Sequence, residues 1–234
     1  MALPKINEQM KYSLIVPSNN KKITFRPFLV KEQKVLLTAL EAGNNDNVLR
    51  AILDTVEACV YDEENISNLP TYDIEYIFTK IRAKSVGEVS NILINCEECG
   101  ENNEVSVDLE TIKVDKVDNT KKVKLNDDYT LVLRHPSYEN LLLLDNEEDN
   151  LSNIIYNMSI SCMYELLSKD EIIKFDDEKQ EDIVEFLDGL TTEQFEKVME
   201  FVSQIPSIKS EVSYICKKCS NNNKTTLSGI KDFF

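Results

Sequence analysis

The sequence predicts an α+β fold, on two observations. Apolar residues recur every second position in some blocks and every three to four in others. Two Cys-x-x-Cys turns, separated by 116 residues, each sit between strand-like blocks. With 42% hydrophobic residues among 234, the chain has the material for a substantial core.

Lys11 to Phe28 reads as a β-hairpin. Tyr12, Leu14 and Val16 alternate on one arm and Ile23 and Phe25 on the other, with Pro17-Ser18-Asn19-Asn20 as the turn. Helical spacing follows. Leu36, Leu37 and Leu40 form one stripe that Gly43 should stop; Val48, Leu49, Ile52, Leu53, Val56 and Val60 form a second. A third helix is expected from about Tyr72 to Lys84, between Pro70 and Gly87.

Period two returns at Ile92, Ile94 and Cys96, and again at Val105, Val107 and Leu109. A further hairpin is predicted over 121–134, where Val123 and Leu125 face Tyr129, Leu131 and Leu133 across Asn126-Asp127-Asp128. Leu151, Ile155, Met158, Cys162 and Leu166 then predict one helix, and Asp145 to Asp149 an acidic solvated loop. A last helix is expected from Thr191, where Thr191-x-x-Gln194 makes a capping box, through Phe195, Val198, Val202 and Ile205 to Pro206.

One element is duplicated. Superposing Cys96 on Cys216 places Ile92 on Val212, Ile94 on Tyr214, Asn102-Asn103 on Asn222-Asn223, and Val107 on Leu227. Each copy reads as strand, Cys-x-x-Cys, polar turn, strand.

Zn²⁺ takes four tetrahedral ligands, and thiolates at Cys-x-x-Cys spacing reach it from one tight turn. Cys96, Cys99, Cys216 and Cys219 therefore predict a structural zinc site, with no ligand position left open for catalysis. Gly100 suits the positive φ at which such a turn ends, and the asparagines after Ser220 tolerate it. Lys217, Lys218 and Lys224 stand near in sequence to offset the −2 charge of zinc with four thiolates. The domains predicted are a hairpin-and-helix unit (1–87), a split zinc ribbon (88–119 with 209–234) and a hairpin-and-helix insertion between the knuckles (120–208). Cys59 and Cys162 lie on or beside apolar stripes and are expected in the core.

Composition narrows the function. The formal charge is −16, which repels phosphates and argues against a nucleic-acid partner. No apolar run reaches the roughly 20 residues of a membrane span, and Met1 to Gln9 lacks the apolar core of a signal peptide. A reducing cytoplasm is the expected folding compartment, where cysteines bind metals or pack rather than form disulfides. The single histidine, His135, lies between Arg134 and Pro136, and the 5 glycines form no phosphate loop. Neither an enzyme nor a small-molecule substrate is expected.

Several ordered blocks carry a resemblance. They are Leu3-Pro4-Lys5-Ile6; Tyr12 to Ser18; Phe25-Arg26-Pro27-Phe28 running on to Glu32; Tyr76-Ile77-Phe78; Arg82 to Glu88; Leu190 to Phe195; and Leu227 to Phe234. Together the chain resembles the T4-like bacteriophage baseplate protein family of hub subunits and hub-assembly factors. The resemblance implies a non-enzymatic structural or assembly protein of a contractile tail. It implies contacts with other baseplate hub and tail proteins, first in the host cytoplasm and then in the virion. The alternative is a zinc-ribbon adaptor of transcription or replication. Phe25-Arg26-Pro27-Phe28 reads as a strand end with a core aromatic, or as an interaction element. Phe233-Phe234 reads as a core anchor, or as an offered interface.

Overall fold

A computed structural model describes residues 10–61, 65–115, 118–142 and 151–233. The expected acidic loop at Asp145–Asp149, the block Leu3–Ile6 and Phe234 lie outside them. Along the chain run β1 (Tyr12–Ile15), β2 (Lys22–Phe25), α1 (Val30–Ala42), α2 (Asn45–Cys59), α3 (Thr71–Val86), β3 (Val89–Asn95), β4 (Asn102–Asp108) and β5 (Lys113–Val114). There follow β6 (Thr120–Lys124), β7 (Thr130–Arg134), α4 (Tyr138–Leu142), α5 (Leu151–Cys162), β8 (Met163–Leu167), β9 (Ile172–Lys174), α6 (Gln180–Asp188), α7 (Thr192–Ser203), β10 (Ile208–Ile215) and β11 (Asn222–Ser228). The α+β class holds. The chain divides into two compact units: Met1–Ile66, Tyr72–Asp115 and Ser207–Phe234 in one, Ser67–Thr71 and Lys116–Pro206 in the other.

In the first unit β1 pairs with β2, β3 with β4, and β10 with both β11 and β5, all antiparallel. Helix α1 ends at Gly43, whose φ of 67° is the left-handed conformation that glycine adopts without strain. Helix α2 starts at the Asn44 side chain, which accepts from the amides of Asp46 and Asn47. Arg26 and Glu32 are both buried and paired at 2.8 Å, and Arg26 also donates to Ala58 O. The strand-end reading of Phe25-Arg26-Pro27-Phe28 therefore fits the geometry, with Phe25 in the core.

Polar side chains of α3, two of them buried, reach three separate hairpins. Asp73 accepts from the backbone and hydroxyl of Ser18 in the β1–β2 turn. Lys80 donates to the carbonyls of Leu109 and Glu110, just after β4. Glu75 lies against the backbone of Ile208, which opens β10, and of Ile230, beyond β11, and those backbone groups favour its charged form. Phe233 is fully buried, and Ser90 Oγ on β3 donates to its carbonyl at 2.8 Å.

The second unit is a four-stranded sheet in the order β6-β7-β8-β9, covered by helices. Its core gathers Leu131, Leu133, Cys162, Met163, Leu166, Phe175, Val198 and Phe201. The sequence expectation of one helix through Leu166 is corrected here. Helix α5 stops at Cys162, and Leu166 lies on β8 opposite Leu131 of β7. The buried backbone of β7 needs partners on both sides, and β6 supplies only one. Leu166 stays in the core under either geometry, so apolar spacing could not separate them. The capping box of α7 forms as predicted, with Thr191 Oγ1 accepting from Gln194 N and Gln194 Oε1 from Thr191 N. That helix ends at Ser203, short of Ile205.

Candidate metal centre

The two Cys-x-x-Cys turns cap two antiparallel hairpins, β3–β4 and β10–β11, and they have matching backbones. Cys96 N donates to Glu101 O at 2.8 Å and Gly100 N to Cys96 O at 2.9 Å. In the second turn Cys216 N donates to Asn221 O at 2.9 Å and Ser220 N to Cys216 O at 3.0 Å. Gly100 takes the expected positive φ, 69°. In the second copy the left-handed position falls on Ser220, φ 59°, not on the asparagines after it.

The hairpins bring four sulfurs together. All four Sγ atoms of Cys96, Cys99, Cys216 and Cys219 lie within 4.8 Å of one another. The pairs that cross between hairpins, Cys96–Cys219 and Cys99–Cys216, are each 3.6 Å apart. Four sulfurs about 2.3 Å from a tetrahedral Zn²⁺ stand roughly 3.8 Å apart, so this donor set fits such an ion.

The environment already favours thiolate at two positions. Cys216 is lowered to about 6, first by the amide of Cys219 and then by that of Lys218, against the opposing effect of burial. At Cys96 burial opposes ionisation, but the amides of Cys99 and Glu98 outweigh it and the value falls. Cys219 is pushed up to about 12. The amide of Asn221 favours its thiolate, but burial and the sulfurs of Cys99, Cys216 and Cys96 together hold its proton. Four thiols so close cannot all ionise unless a cation replaces their protons.

The model of the T4 bacteriophage base plate protein family matches residues 9–234. The chain belongs to this family. No curated protein and no solved structure shows significant similarity to it. Membership implies a structural role for this baseplate protein in the virion tail, among other phage tail proteins. No helix among the described residues is long and apolar enough to cross a membrane.

The other candidate residues of the baseplate protein are not members of the four-sulfur cluster. Cys59 and Cys162 are buried, and burial raises them to about 11 and about 12, so both remain thiols in the core. His135 is buried and stacked on Phe201 at 4.8 Å; burial lowers it to about 4, which leaves a neutral ring in the packing. The lysines expected to offset the metal's charge each pair with a glutamate. Lys217 and Lys218 pair with Glu101 at 3.4 and 3.5 Å, and Lys224 with Glu211 at 2.7 Å. Backbone and amide groups reach sulfur instead, among them Lys218 N to Cys216 at 3.4 Å and Asn103 Nδ2 to Cys216 at 3.7 Å. Sequence reasoning treated Asn103 and Asn223 as turn residues. The available signal was strand parity: Asn103 continues the buried face of Val105 and Val107, and Asn223 that of Leu227.

Proposed function

We propose that this protein is a non-enzymatic component or assembly factor of the baseplate hub, working through protein–protein contacts and held together by one structural zinc ion. The family match over 9–234 carries the structural role. The four converging sulfurs support the metal. Cys96 and Cys99 would hold it from one hairpin and Cys216 and Cys219 from the other, making a split zinc ribbon of 88–119 with 209–234. The ion would supply cross-linking, not chemistry, since four thiolates close its coordination.

Surface character agrees with a life in contact with other proteins. An apolar groove lined by Phe28, Leu36, Leu37, Leu40, Ile52 and Val86 runs along the first unit. Leu37, Leu40 and Val86 are exposed at 51%, 56% and 61%, and contiguous exposed apolar surface commonly marks an interaction site. Folding in the host cytoplasm, where thiols stay reduced, suits the four-cysteine centre.

Two measurements test the reading. Elemental analysis of purified protein should find about one zinc per chain, and Cys99→Ser or Cys216→Ser should lose both metal and thermal stability. Structural zinc contributes an apparent ~10–16 kcal/mol in finger peptides, as large as a domain's whole stability. A metal-free preparation that melts like the metal-loaded one refutes the zinc. Mass spectrometry of purified particles, beside complementation of a deletion phage, separates a resident hub subunit from an assembly factor; infectious particles without the protein refute both roles.

A further inference from the structure

The two cysteine hairpins exchange a matched pair of side chains. Asn103 on β4 and Asn223 on β11 occupy equivalent positions in the duplicated element, and both are buried, at 4% and 3% exposure. Each amide nitrogen holds its own turn: Asn103 Nδ2 donates to Glu101 O at 2.7 Å, and Asn223 Nδ2 to Asn221 O at 3.1 Å. Each amide oxygen crosses to the other turn. Asn103 Oδ1 accepts from Lys217 N at 2.9 Å, and Asn223 Oδ1 from Glu97 N at 3.3 Å. Glu97 and Lys217 are equivalent residues, each directly after the first cysteine of its turn.

Each asparagine also touches the first cysteine of the opposite turn. Asn103 Nδ2 lies 3.7 Å from Cys216 Sγ, and Asn223 Oδ1 lies 3.5 Å from Cys96 Sγ. Asn221 Nδ2 adds a further donor to Asn223 Oδ1 at 3.4 Å.

We infer that Asn103 and Asn223 are reciprocal positioning residues, each locking the opposite Cys-x-x-Cys turn so that four sulfurs converge on one metal ion. A merely packed position on these strand faces would take an apolar residue, as Val105, Val107 and Leu227 do. A buried amide is tolerated only when its hydrogen bonds are made, since each one left unmade costs roughly 1–3 kcal/mol. Here both amides are bonded, and both bonds cross between hairpins 120 positions apart in the chain. No strand pairing joins β3–β4 to β10–β11, so these side-chain bonds, with Tyr214 Oη to Asn95 O at 3.0 Å, set how the knuckles face each other. Partners of metal ligands typically change metal affinity by ~10–100-fold. Retention of the ion therefore rests on the zinc reading above; the crossed bonds do not.

Amide hydrogen exchange and zinc release to a chelator, measured on the full chain, test the two separately. Asn103→Ala should expose the amide of Lys217 and spare that of Glu97, and Asn223→Ala should do the reverse. Each variant should release zinc about 10–100-fold faster than wild type. Asn103→Asp keeps the acceptor for Lys217 N but loses the donors. It should restore protection at Lys217 while still releasing zinc quickly, and it stands in if the alanine variant does not fold. Asn102→Ala and Asn222→Ala, at exposed neighbours, should change neither measurement. Equal deprotection of both amides in either variant, or release at the wild-type rate from a zinc-loaded chain, overturns the brace. A wild-type chain that takes up no zinc yet shows the crossed pattern overturns the metal reading alone.

Discussion

Replacing Asp73 by Asn should remove a pH-dependent weakness from the first unit. The Asp73 carboxylate has no exposed surface, and its partners are the amide and hydroxyl of Ser18. Burial penalises the charge, the Ser18 bonds favour it, and burial wins, raising the carboxyl from 3.8 to about 6. A carboxyl raised in the folded state binds its proton more tightly there than in the unfolded chain. Stability associated with it is therefore full below about pH 4, falls as pH rises, and is gone above about pH 6. Two pH units at about 1.4 kcal/mol each give a loss of about 3 kcal/mol. Asparagine matches the shape and offers Oδ1 to Ser18 N without a charge, so its chain should show no such fall. Urea midpoints for both chains from pH 4 to pH 8 supply the assay. Taking the difference cancels every group the chains share, including Glu75, which burial raises to about 7. A flat difference, or a wild type that gains on the variant between pH 4 and 6, means that the Ser18 bonds outweigh desolvation and the reasoning fails.

Three further outcomes follow from buried groups. Glu32→Ala should cost about 3–5 kcal/mol by urea unfolding, because it leaves Arg26 buried without its carboxylate. Despite burial, the hydrogen bond from Arg26 holds Glu32 down at about 2. Its contribution should therefore be full above about pH 4.5 and fade as pH falls towards 2. Cys59→Ala and Cys162→Ala should leave the zinc content unchanged by elemental analysis; loss of metal in either would show that the wrong four cysteines were chosen. Phe233→Ala should cost about 3–5 kcal/mol in a melting series. A variant that melts like wild type but fails to complement phage would make Phe233 an interface residue instead.

The cysteine constellation was legible because its chemistry is written in spacing: two identical intervals, each flanked by period-two blocks, leave few other arrangements. Helix ends were legible wherever a backbone need dictates a residue type, as at Gly43 and at Thr191 with Gln194. Strand β8 was not, because Cys162, Met163 and Leu166 are buried whether the segment coils or extends, and only β7 reveals the choice. Asn103 and Asn223 were visible as a repeat but hidden as partners, since the amides they hold lie on the opposite copy. Proximity in sequence to the cysteines implied charge compensation by lysines; their ion pairs with Glu101 and Glu211 were not legible, because those partners lie on another turn or strand.

The first unit closes around residues at both ends of the chain, and this fixes an order of events on the ribosome. Cys96 and Cys99 leave the exit tunnel 120 and 117 residues ahead of Cys216, a wait on the order of ten seconds at typical synthesis rates. Until β10 and β11 follow, the backbone of Ile208 and Ile230 is missing beside Glu75, and Ser90 has no Phe233 carbonyl. The inserted unit, Lys116–Pro206, is synthesised whole within that interval, save for the short stretch Ser67–Thr71 that precedes it. The unit begun earlier thus closes later, and nascent chains stalled before Ser207 would present a finished insertion on an open, thiol-bearing partner.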